Sequence, residues 1–248
     1  MRFVAYGGCE GANDAHRALV ERMVKLQPEL VIHTGGGLVG GGRQGRDWQA
    51  FAAVTQPLRA LCSYYPCRVP ADGQLHLSGI DFPEAVGRGR SYYSFDHRGV
   101  HFILLDSSQR PGQDGVQMKW LLSDLAEARG RMTFVAFSDP IQTVADRRTR
   151  FGPHHPLHGL FVRHKVRAVL SGGHHIYYRT VQNGVPYIVT GGGGAPFDGI
   201  KDRRNLLPGD AVGTFHHFVE FTVKGQEIRG RAIDTEGTVR DEFVLTPP

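Results

Sequence analysis

The chain has 248 residues, an apolar fraction of 40% and a formal net charge of +5, which is enough chain to bury one large core. No apolar run approaches the roughly 18 residues of a membrane span, and the chain starts on an apolar, strand-like segment without a leader of basic, apolar and small residues. The composition argues against a membrane-spanning protein. We therefore expect a cytoplasmic protein whose residues 1–248 form a single domain.

The basic excess does not follow a pattern typical of nucleic-acid binding. Its arginines are dispersed along the chain, without a basic helical stripe and interleaved stacking aromatics. We expect no nucleic-acid or membrane partner, whereas a positive surface agrees with a small anionic substrate. The three cysteines, Cys9, Cys62 and Cys67, are an odd number in a chain without an export signal, which argues against a disulfide framework. The oligomeric state stays open.

Short apolar strands alternate with amphipathic helices along most of the chain. Two segments, DAHRALVERMVKL and QMKWLLSDLAEA, have apolar residues at helical spacing, and Asn13 or Asp14 can cap the first. The last thirty or so residues alternate apolar and polar side chains around KG and EG turns, which predicts antiparallel hairpins. Six apolar runs are predicted as buried strands, and most end in Gly, Ser or Asp: RFVAY, ELVIHT, HFILLD, MTFVAF, VRAVLS and PYIVTG.

Five segments run from apolar residues into small or polar ones, and several of them are rich in glycine: FVAYGGCEG, VIHTGGGLVGGG, CRVPADGQ, FVAFSDP and LSGGHHIYYR. In order and spacing they resemble the metal-binding motifs of the calcineurin-like metallophosphoesterases, close to the purple-acid-phosphatase-like branch. Three other segments also resemble that branch: SYYSFDHRGVHFILLDSS, QMKWLLSDL and GVPYIVTGGGGAP. The resemblance covers Arg2 to about Phe197 and implies the fold of that family, a four-layer α/β/β/α sandwich of two mixed sheets.

The residues that bind metal in that family are replaced in each segment. Gly8 and Glu10 stand where Asp-X-His is usual, Gly36 stands for the bridging Asp, Ala71-Asp72-Gly73-Gln74 for Gly-Asn-His-Asp, Ser138 for a His, and Gly173 for the first His of Ser-Gly-His-X-His. A two-metal site needs carboxylate and imidazole donors around cations roughly 3.5–4 Å apart. Glu10, Asp72, His175 and the neutral Ser138 do not supply that set. We therefore expect no bound metal and no other cofactor.

The family resemblance places the candidate site in the old active-site cleft, because ligands of open α/β sheets sit at the carboxyl ends of strands. His175 is the strongest candidate acid or base, since it retains the second histidine of its motif and can titrate near neutrality. The candidate catalytic residues are His175, Asp139, Glu10 and Asp72, and the candidate substrate-binding residues are His33, Gly36, Gly37, Arg43, His174, Tyr177 and Tyr178. Each of the four catalytic candidates has the alternative role of an ordinary loop residue. The glycines are expected to leave open volume for an organic ligand.

Three functional classes follow from this pattern. The preferred one is a repurposed, metal-independent enzyme that uses acid/base residues in the old cleft on a small organic substrate, in a cyclisation, elimination or isomerisation. The second is a non-catalytic pseudophosphatase with a binding or regulatory role. The third is a residual phosphoester hydrolase with a single weak metal at Glu10, Asp72 and His175.

Overall fold

A computed structural model describes residues 1–9, 12–35, 44–67, 91–109, 115–201, 203 and 206–247, with the backbone alone for residues 44–48. Within these ranges the elements are, in chain order, β1 (Arg2–Tyr6), α1 (Asp14–Leu26), β2 (Leu30–His33), α2 (Gln44–Leu61), β3 (Ser63–Pro66), β4 (Tyr93–His97), β5 (Val100–Leu104), α3 (Val116–Glu127), β6 (Met132–Ala136), α4 (Pro156–Arg163), β7 (Ala168–Ser171), β8 (Tyr177–Gln182), β9 (Val185–Thr190), β10 (Ala211–Gly213), β11 (His217–Lys224), β12 (Glu227–Asp234) and β13 (Val239–Leu245).

The described strands form two mixed sheets. The first has the order β13-β12-β11-β1-β2-β3, and the second has the order β10-β8-β9-β7-β6-β5-β4. In the first sheet β1, β2 and β3 are parallel, while β11, β12 and β13 form the predicted antiparallel hairpins. In the second sheet β5, β6, β7 and β9 are parallel neighbours. Two mixed sheets were expected, and the structure confirms them.

An aromatic core joins the two sheets. Alternate residues of each strand point between the sheets, as the two-residue period of a strand requires. Phe3 of β1 stacks on Phe221 of β11 with ring centroids 4.7 Å apart. The same ring meets Phe102 and Phe134 of the second sheet edge-on, each at 5.2 Å. Such pairs add to the area term of burial, so this cluster fixes one sheet against the other.

The helices cover the outer faces of both sheets. The intervening residues of β1, such as Val4, pack with Leu19 and Met23 of α1 and with Leu58 of α2. On the second sheet the outward side chains of β5, β6 and β7 pack against α3 and α4. Helix, sheet, sheet and helix therefore form four layers. The predicted α/β/β/α sandwich is confirmed.

Two helices were not anticipated. The predicted helices correspond to α1, where the side chain of Asn13 accepts a hydrogen bond from the backbone of His16 at 3.0 Å, and to α3. The sequence analysis gave neither α2 nor α4. The α4 helix begins at Pro156, and His155 caps it by accepting a hydrogen bond from the Leu157 backbone at 3.3 Å.

No helix in the described part of the chain is long and apolar enough to cross a membrane. The single-domain expectation stays a prediction.

Candidate functional site

The candidate site lies at the carboxyl ends of five strands. Loops follow β1, β2, β6, β7 and β9 at this edge of the two sheets. Parallel strands deliver their carboxyl ends to the same edge, so residues distant in sequence meet there. The described parts of these loops contain Gly7, Gly8, Ser138, Gly173 and His175.

Backbone hydrogen bonds join these loops directly. The N–H of Gly8 donates to the carbonyl of Gly35 at 2.9 Å, and the N–H of Gly193 donates to the carbonyl of Gly7 at 2.7 Å. The carbonyl of Gly8 also accepts from Ala195 at 2.8 Å. The loop after β1 is thus held against the loops after β2 and β9 by main-chain hydrogen bonds, and the side chain of Asn13 adds a bond to the carbonyl of Gly194 at 2.5 Å.

Gly8 occupies a position where a side chain does not fit. Its φ is +69°, in the left-handed region that favours glycine. A Cβ at this position would lie 2.0 Å from the carbonyl oxygen of Gly191, far inside van der Waals contact. The expectation that glycine leaves open volume is therefore wrong for Gly8, because the backbone of another loop already fills the space.

A similar contact involves the loops after β6 and β7. The carbonyl of Ser138 accepts hydrogen bonds from the backbones of Gly172 at 3.3 Å and Gly173 at 2.8 Å. A Cβ on Gly173 would lie 2.8 Å from Oγ and 2.9 Å from the carbonyl oxygen of Ser138. The two motif positions predicted to have lost a histidine, Ser138 and Gly173, are thus packed against each other.

The donor atoms described at this edge do not form a metal site. No group of three or more His, Cys, Asp or Glu side chains that could hold a metal ion occurs within the described ranges. Five predicted site residues lie outside those ranges, and they are Glu10, Gly36, Gly37, Arg43 and Asp72. The roles assigned to them stay predictions.

The adjacent histidines His174 and His175 are both buried. The Nδ1 atom of His175 lies 3.0 Å from the carbonyl oxygen of Pro196, and its backbone N–H donates to Oδ2 of Asp198 at 2.7 Å. Since a carbonyl only accepts, Nδ1 of His175 carries the proton of this hydrogen bond. His174 pairs with Thr143 at 2.9 Å, and burial lowers its pKa.

Asp139 is a largely buried carboxyl in the loop after β6. Its side chain is only 16% exposed, and its buried Oδ2 makes no hydrogen bond of normal geometry among the described residues. The Nε atom of Arg150 lies 3.5 Å from that oxygen. Burial raises the pKa of the Asp139 carboxyl, although Arg150 and Arg147 oppose the shift.

Two arginines from the dispersed basic residues of the sequence, Arg147 and Arg150, belong to this cluster. Arg150 pairs with Asp139, and Arg147 lies 3.9 Å from Oδ1 of Asp198, the carboxylate that holds the backbone of His175. The side chains of Arg150 and Arg147 are about half exposed, at 55% and 51%. The RRTR segment was visible in the sequence, but its proximity to the motif loops was not.

Three predicted substrate-binding residues point into packed regions instead. His33 is fully buried among Tyr6, Tyr64 and Phe51, and burial lowers its pKa to about 3. Tyr177 lies between the sheets and donates to Asp241 at 2.6 Å. Tyr178 donates to Asp210 at 3.0 Å.

Cys9 shares the environment of His33. Its Sγ is 3.4 Å from Nε2 of His33, and it is fully buried. Burial raises the pKa of the Cys9 thiol. A buried, neutral thiol is poorly suited to act as a nucleophile. The environment of Cys9 therefore favours a role in packing over a role as a reactive thiol.

The fold of this chain matches that of several solved structures. No family model matches the sequence, and no curated protein sequence matches it. The purple acid phosphatase PPD1 of yellow lupin (Lupinus luteus) superimposes with a TM-score of 0.84 at 16% identity, over 99% of this chain and 53% of that one. The chain thus spans about half of the lupin protein.

Two further structures have the same architecture over nearly their whole lengths. GAP50, the anchor in the inner membrane complex of Plasmodium, matches with a TM-score of 0.72 at 14% identity, over 100% of this chain and 89% of that one. Vps29 of Entamoeba histolytica, solved with Zn²⁺, matches with a TM-score of 0.51 at 10% identity, over 99% of this chain and 100% of that one. The chain has the calcineurin-like metallophosphoesterase fold.

Proposed function

We propose that this protein is an enzyme on a metallophosphoesterase scaffold that works without a binuclear metal centre and uses Asp139 and His175 in acid/base chemistry. The observation that supports this most is the environment of Asp139, a carboxyl with a raised pKa at a strand end, beside an arginine. Perturbed carboxyls in such positions are typical of functional sites. A carboxyl whose pKa is raised retains its proton closer to neutral pH and can deliver it to a substrate.

Metal independence is supported by the packing of the motif loops. Gly8 stands where the resemblance expects a carboxylate ligand, and its would-be Cβ meets the Gly191 carbonyl at 2.0 Å. Gly173 stands where a histidine ligand is expected, and Ser138 blocks it in the same way. Glycine supplies no side-chain donor, and these two positions could not accept one without movement of the backbone.

The roles of the two candidate groups follow from their hydrogen bonds. The Pro196 carbonyl orients the ring of His175 by accepting a hydrogen bond from Nδ1, and the proposal assigns to His175 the removal of a proton from the substrate. Asp139 in its protonated form is suited to donate one. Arg147 and Arg150 have half-exposed side chains beside these residues and can hold an anionic part of the substrate. This division of roles fits a cyclisation, elimination or isomerisation of a small organic acid.

The proposal is tested with protein treated with EDTA and incubated with a metabolite extract, followed by mass spectrometry. We expect a compound to be consumed with formation of an isomer or of a product that has lost water. Asp139→Asn and His175→Gln should each slow that conversion by about 10²–10⁴-fold, while exposed Arg17→Gln should not. Conversion that is equally fast in both site variants, or no conversion at all, would contradict the enzyme proposal.

Metal content provides a separate test. We expect purified protein to contain no stoichiometric pair of transition metals, and we expect hydrolysis of p-nitrophenyl phosphate to stay near background with added Mn²⁺ or Zn²⁺. Elemental analysis that finds about two metal ions per chain would refute metal independence. Zn²⁺- or Mn²⁺-dependent hydrolysis with a single bound ion, lost in Glu10→Gln, would instead support the residual hydrolase.

A non-catalytic binding protein is the second candidate, and the close packing at Gly8 favours it. Main-chain atoms occupy the space beside Gly8, so this part of the site offers less room for a substrate than the sequence suggested. GAP50, which shares the fold, is described as an anchor, so the scaffold also serves in that kind of role. Recovery of a bound compound or protein that remains unchanged, with equal retention by Asp139→Asn, would select this candidate. The small-molecule partner and the cytoplasmic location stay predictions.

A further inference from the structure

A basic cavity lies at the edge of the second sheet that is opposite to the candidate site. It has a volume of about 750 Å³ and opens where β6 and β7 begin, next to the ends of α3 and α4 and the turn between β11 and β12. Its lining residues are Ala126, Arg129, Gly130, Arg131, Met132, Arg163, His164, Lys165, Arg167, Gln226 and Pro247. The volume falls within the roughly 300–1,000 Å³ typical of ligand pockets.

The charge of this cavity is strongly one-sided. Four arginines and one lysine line it, and none of the lining residues is acidic. Only Arg131 has an ion pair with a carboxylate among the described residues, through Asp96 at 2.8 Å. Cations this close together repel one another unless an anion neutralises them. Among the described residues, the lining of the cavity therefore carries more positive than negative charge.

Helix ends explain only part of this charge. Basic residues near a helix C-terminus are favoured by the helix dipole, and Arg163 and Lys165 lie at the end of α4 while Arg129 lies at the end of α3. Arg167 differs, because it belongs to the segment that enters β7, where its backbone N–H donates to Thr133 at 2.8 Å. Its presence in the cavity needs another explanation.

Arg167 is buried and incompletely paired. The residue is 4% exposed, and its Nη2 donates to Oε1 of Gln226 at 3.0 Å. Its buried Nη1 has no hydrogen-bond partner within the described ranges, and burial lowers the pKa of the guanidinium. A buried cationic donor without a partner is costly. A bound anion in the cavity, which Arg167 helps to line, would stabilise the charge of this guanidinium and offset that cost.

We propose that this cavity is a binding site for a small polyanion, a phosphorylated organic compound with two or more negative charges. Arginine is the side chain best suited to phosphate, because its planar guanidinium offers several donors in a fixed geometry. Arg167 would contribute a buried positive charge at the cavity wall, and the side chains of Arg129, Arg163 and Lys165 would contribute the others. The site is separate from the strand-end cleft, so it does not depend on the function proposed there.

A compact ligand fits this cavity better than a nucleic acid. Nucleic-acid surfaces extend along a groove or stripe and interleave basic residues with stacking aromatics. Here the positive charge converges on a concave volume, and none of the lining residues is aromatic except His164. Binding of a nucleic acid with no affinity for a small phosphate compound would therefore contradict the proposal.

The test is calorimetric titration of the full chain with pyrophosphate and with inorganic phosphate. We expect pyrophosphate to bind more tightly than phosphate and to bind more weakly as salt is raised. Arg167→Met, which retains the bulk of the side chain, should weaken pyrophosphate binding at least tenfold. The double variant Arg163→Gln/Lys165→Gln tests the exposed rim and should weaken it by about tenfold as well, without any change in the core. Exposed Arg17→Gln of α1 is the matched control and should change affinity by less than about twofold.

The outcomes decide for or against the site. Pyrophosphate binding that is reduced in the rim variant but unchanged in Arg17→Gln supports it, even if Arg167→Met does not fold. Absence of binding, or equal binding by all variants, overturns it. Binding that emerges only after removal of Pro247 and Pro248 would show that the end of the chain fills the cavity, and this result also overturns the proposal.

Discussion

The two ends of strands β6 and β7 differ in packing and in charge. At the carboxyl ends, Ser138 and Gly173 meet through main-chain hydrogen bonds, and small residues allow the loops to approach closely. At the amino ends, charged side chains such as Arg131 and Arg167 surround an open cavity. One end of the same two strands is closed by backbone, and the other is open and charged.

This contrast has a physical origin. A main-chain hydrogen bond between two loops requires close approach, and glycine is the residue that permits it. A cluster of arginines requires space between its side chains, since repulsion and hydration keep the charged groups apart. At the edge where the family resemblance places a metal site the described loops are in close main-chain contact, whereas the edge without a motif has a basic cavity of about 750 Å³.

Replacement of Gly8 by alanine tests the closed edge and should have the largest effect. The added methyl group would meet the Gly191 carbonyl at 2.0 Å, and the residue would be held at a φ of +69°. Steric overlap and backbone strain should together lower the free energy of unfolding by about 3 kcal/mol or more. Urea unfolding monitored by circular dichroism measures the change.

Gly99 provides the matched control for that substitution. It has a φ of +80° in the turn between β4 and β5, and a Cβ there would meet nothing within 4 Å. Gly99→Ala should therefore cost only the left-handed backbone term, about 1 kcal/mol. Equal losses for Gly8→Ala and Gly99→Ala would show that the loops at the carboxyl edge are not closely packed.

The pH dependence of His101 tests the charged edge. His101 lies at the start of β5, where Nδ1 pairs with Asp96 at 2.7 Å and Nε2 with Asp124 at 2.9 Å. Burial alone would lower its pKa, but the hydrogen bonds to Asp124 and Asp96 outweigh burial and raise it. Arg131 also pairs with Asp96 at 2.8 Å, so the network connects His101 to the rim of the cavity.

A raised pKa in the folded state fixes the sign of the effect. The stabilisation is fully present below the unfolded pKa, near 6.5, and is lost as the pH rises through the folded value. His101→Gln should lower the free energy of unfolding by about 2 kcal/mol at pH 5.5 and by less at pH 8.5. The exposed His154→Gln should show no such difference. A loss for His101→Gln that grows as the pH rises would contradict the raised pKa.

The sequence predicted most of the fold because the signals are local. Alternating or continuous apolar residues identified the six strands, and helical spacing with Asn13 identified α1. The α2 helix contains Pro57, which interrupts a helical pattern, and α4 starts inside the histidine- and proline-rich segment PHHPLH, which lacks an apolar helical pattern. Those two helices depend on tertiary packing, which local patterns do not record.

The sites were harder to predict because they depend on contacts between distant residues. The sequence identified Gly8 as an unusual residue, but its interpretation as open volume failed because Gly191, which fills that volume, is 183 positions away. The basic cavity was missed for the same reason. Arg129, Arg167 and Gln226 come from three separate segments, so the charge looks dispersed along the chain and is concentrated only by the topology.

Asp139 is the exception at the closed edge, and its substitution should have the smallest effect on stability. Burial raises the pKa of its carboxyl in the folded state, so the ionised form costs stability, and folding becomes more favourable as the pH falls through the folded-state pKa. Asp139→Asn removes the charge and should raise the free energy of unfolding by about 0.5 kcal/mol at pH 7, with the gain disappearing near pH 3. Urea unfolding at both pH values measures this, and exposed Asp146→Asn is the control.

A residue that costs stability at neutral pH is retained more readily for its chemistry than for packing. If Asp139→Asn instead destabilises the protein at pH 7, the carboxylate belongs to a structural pair with Arg150, and the acid/base proposal loses its main support.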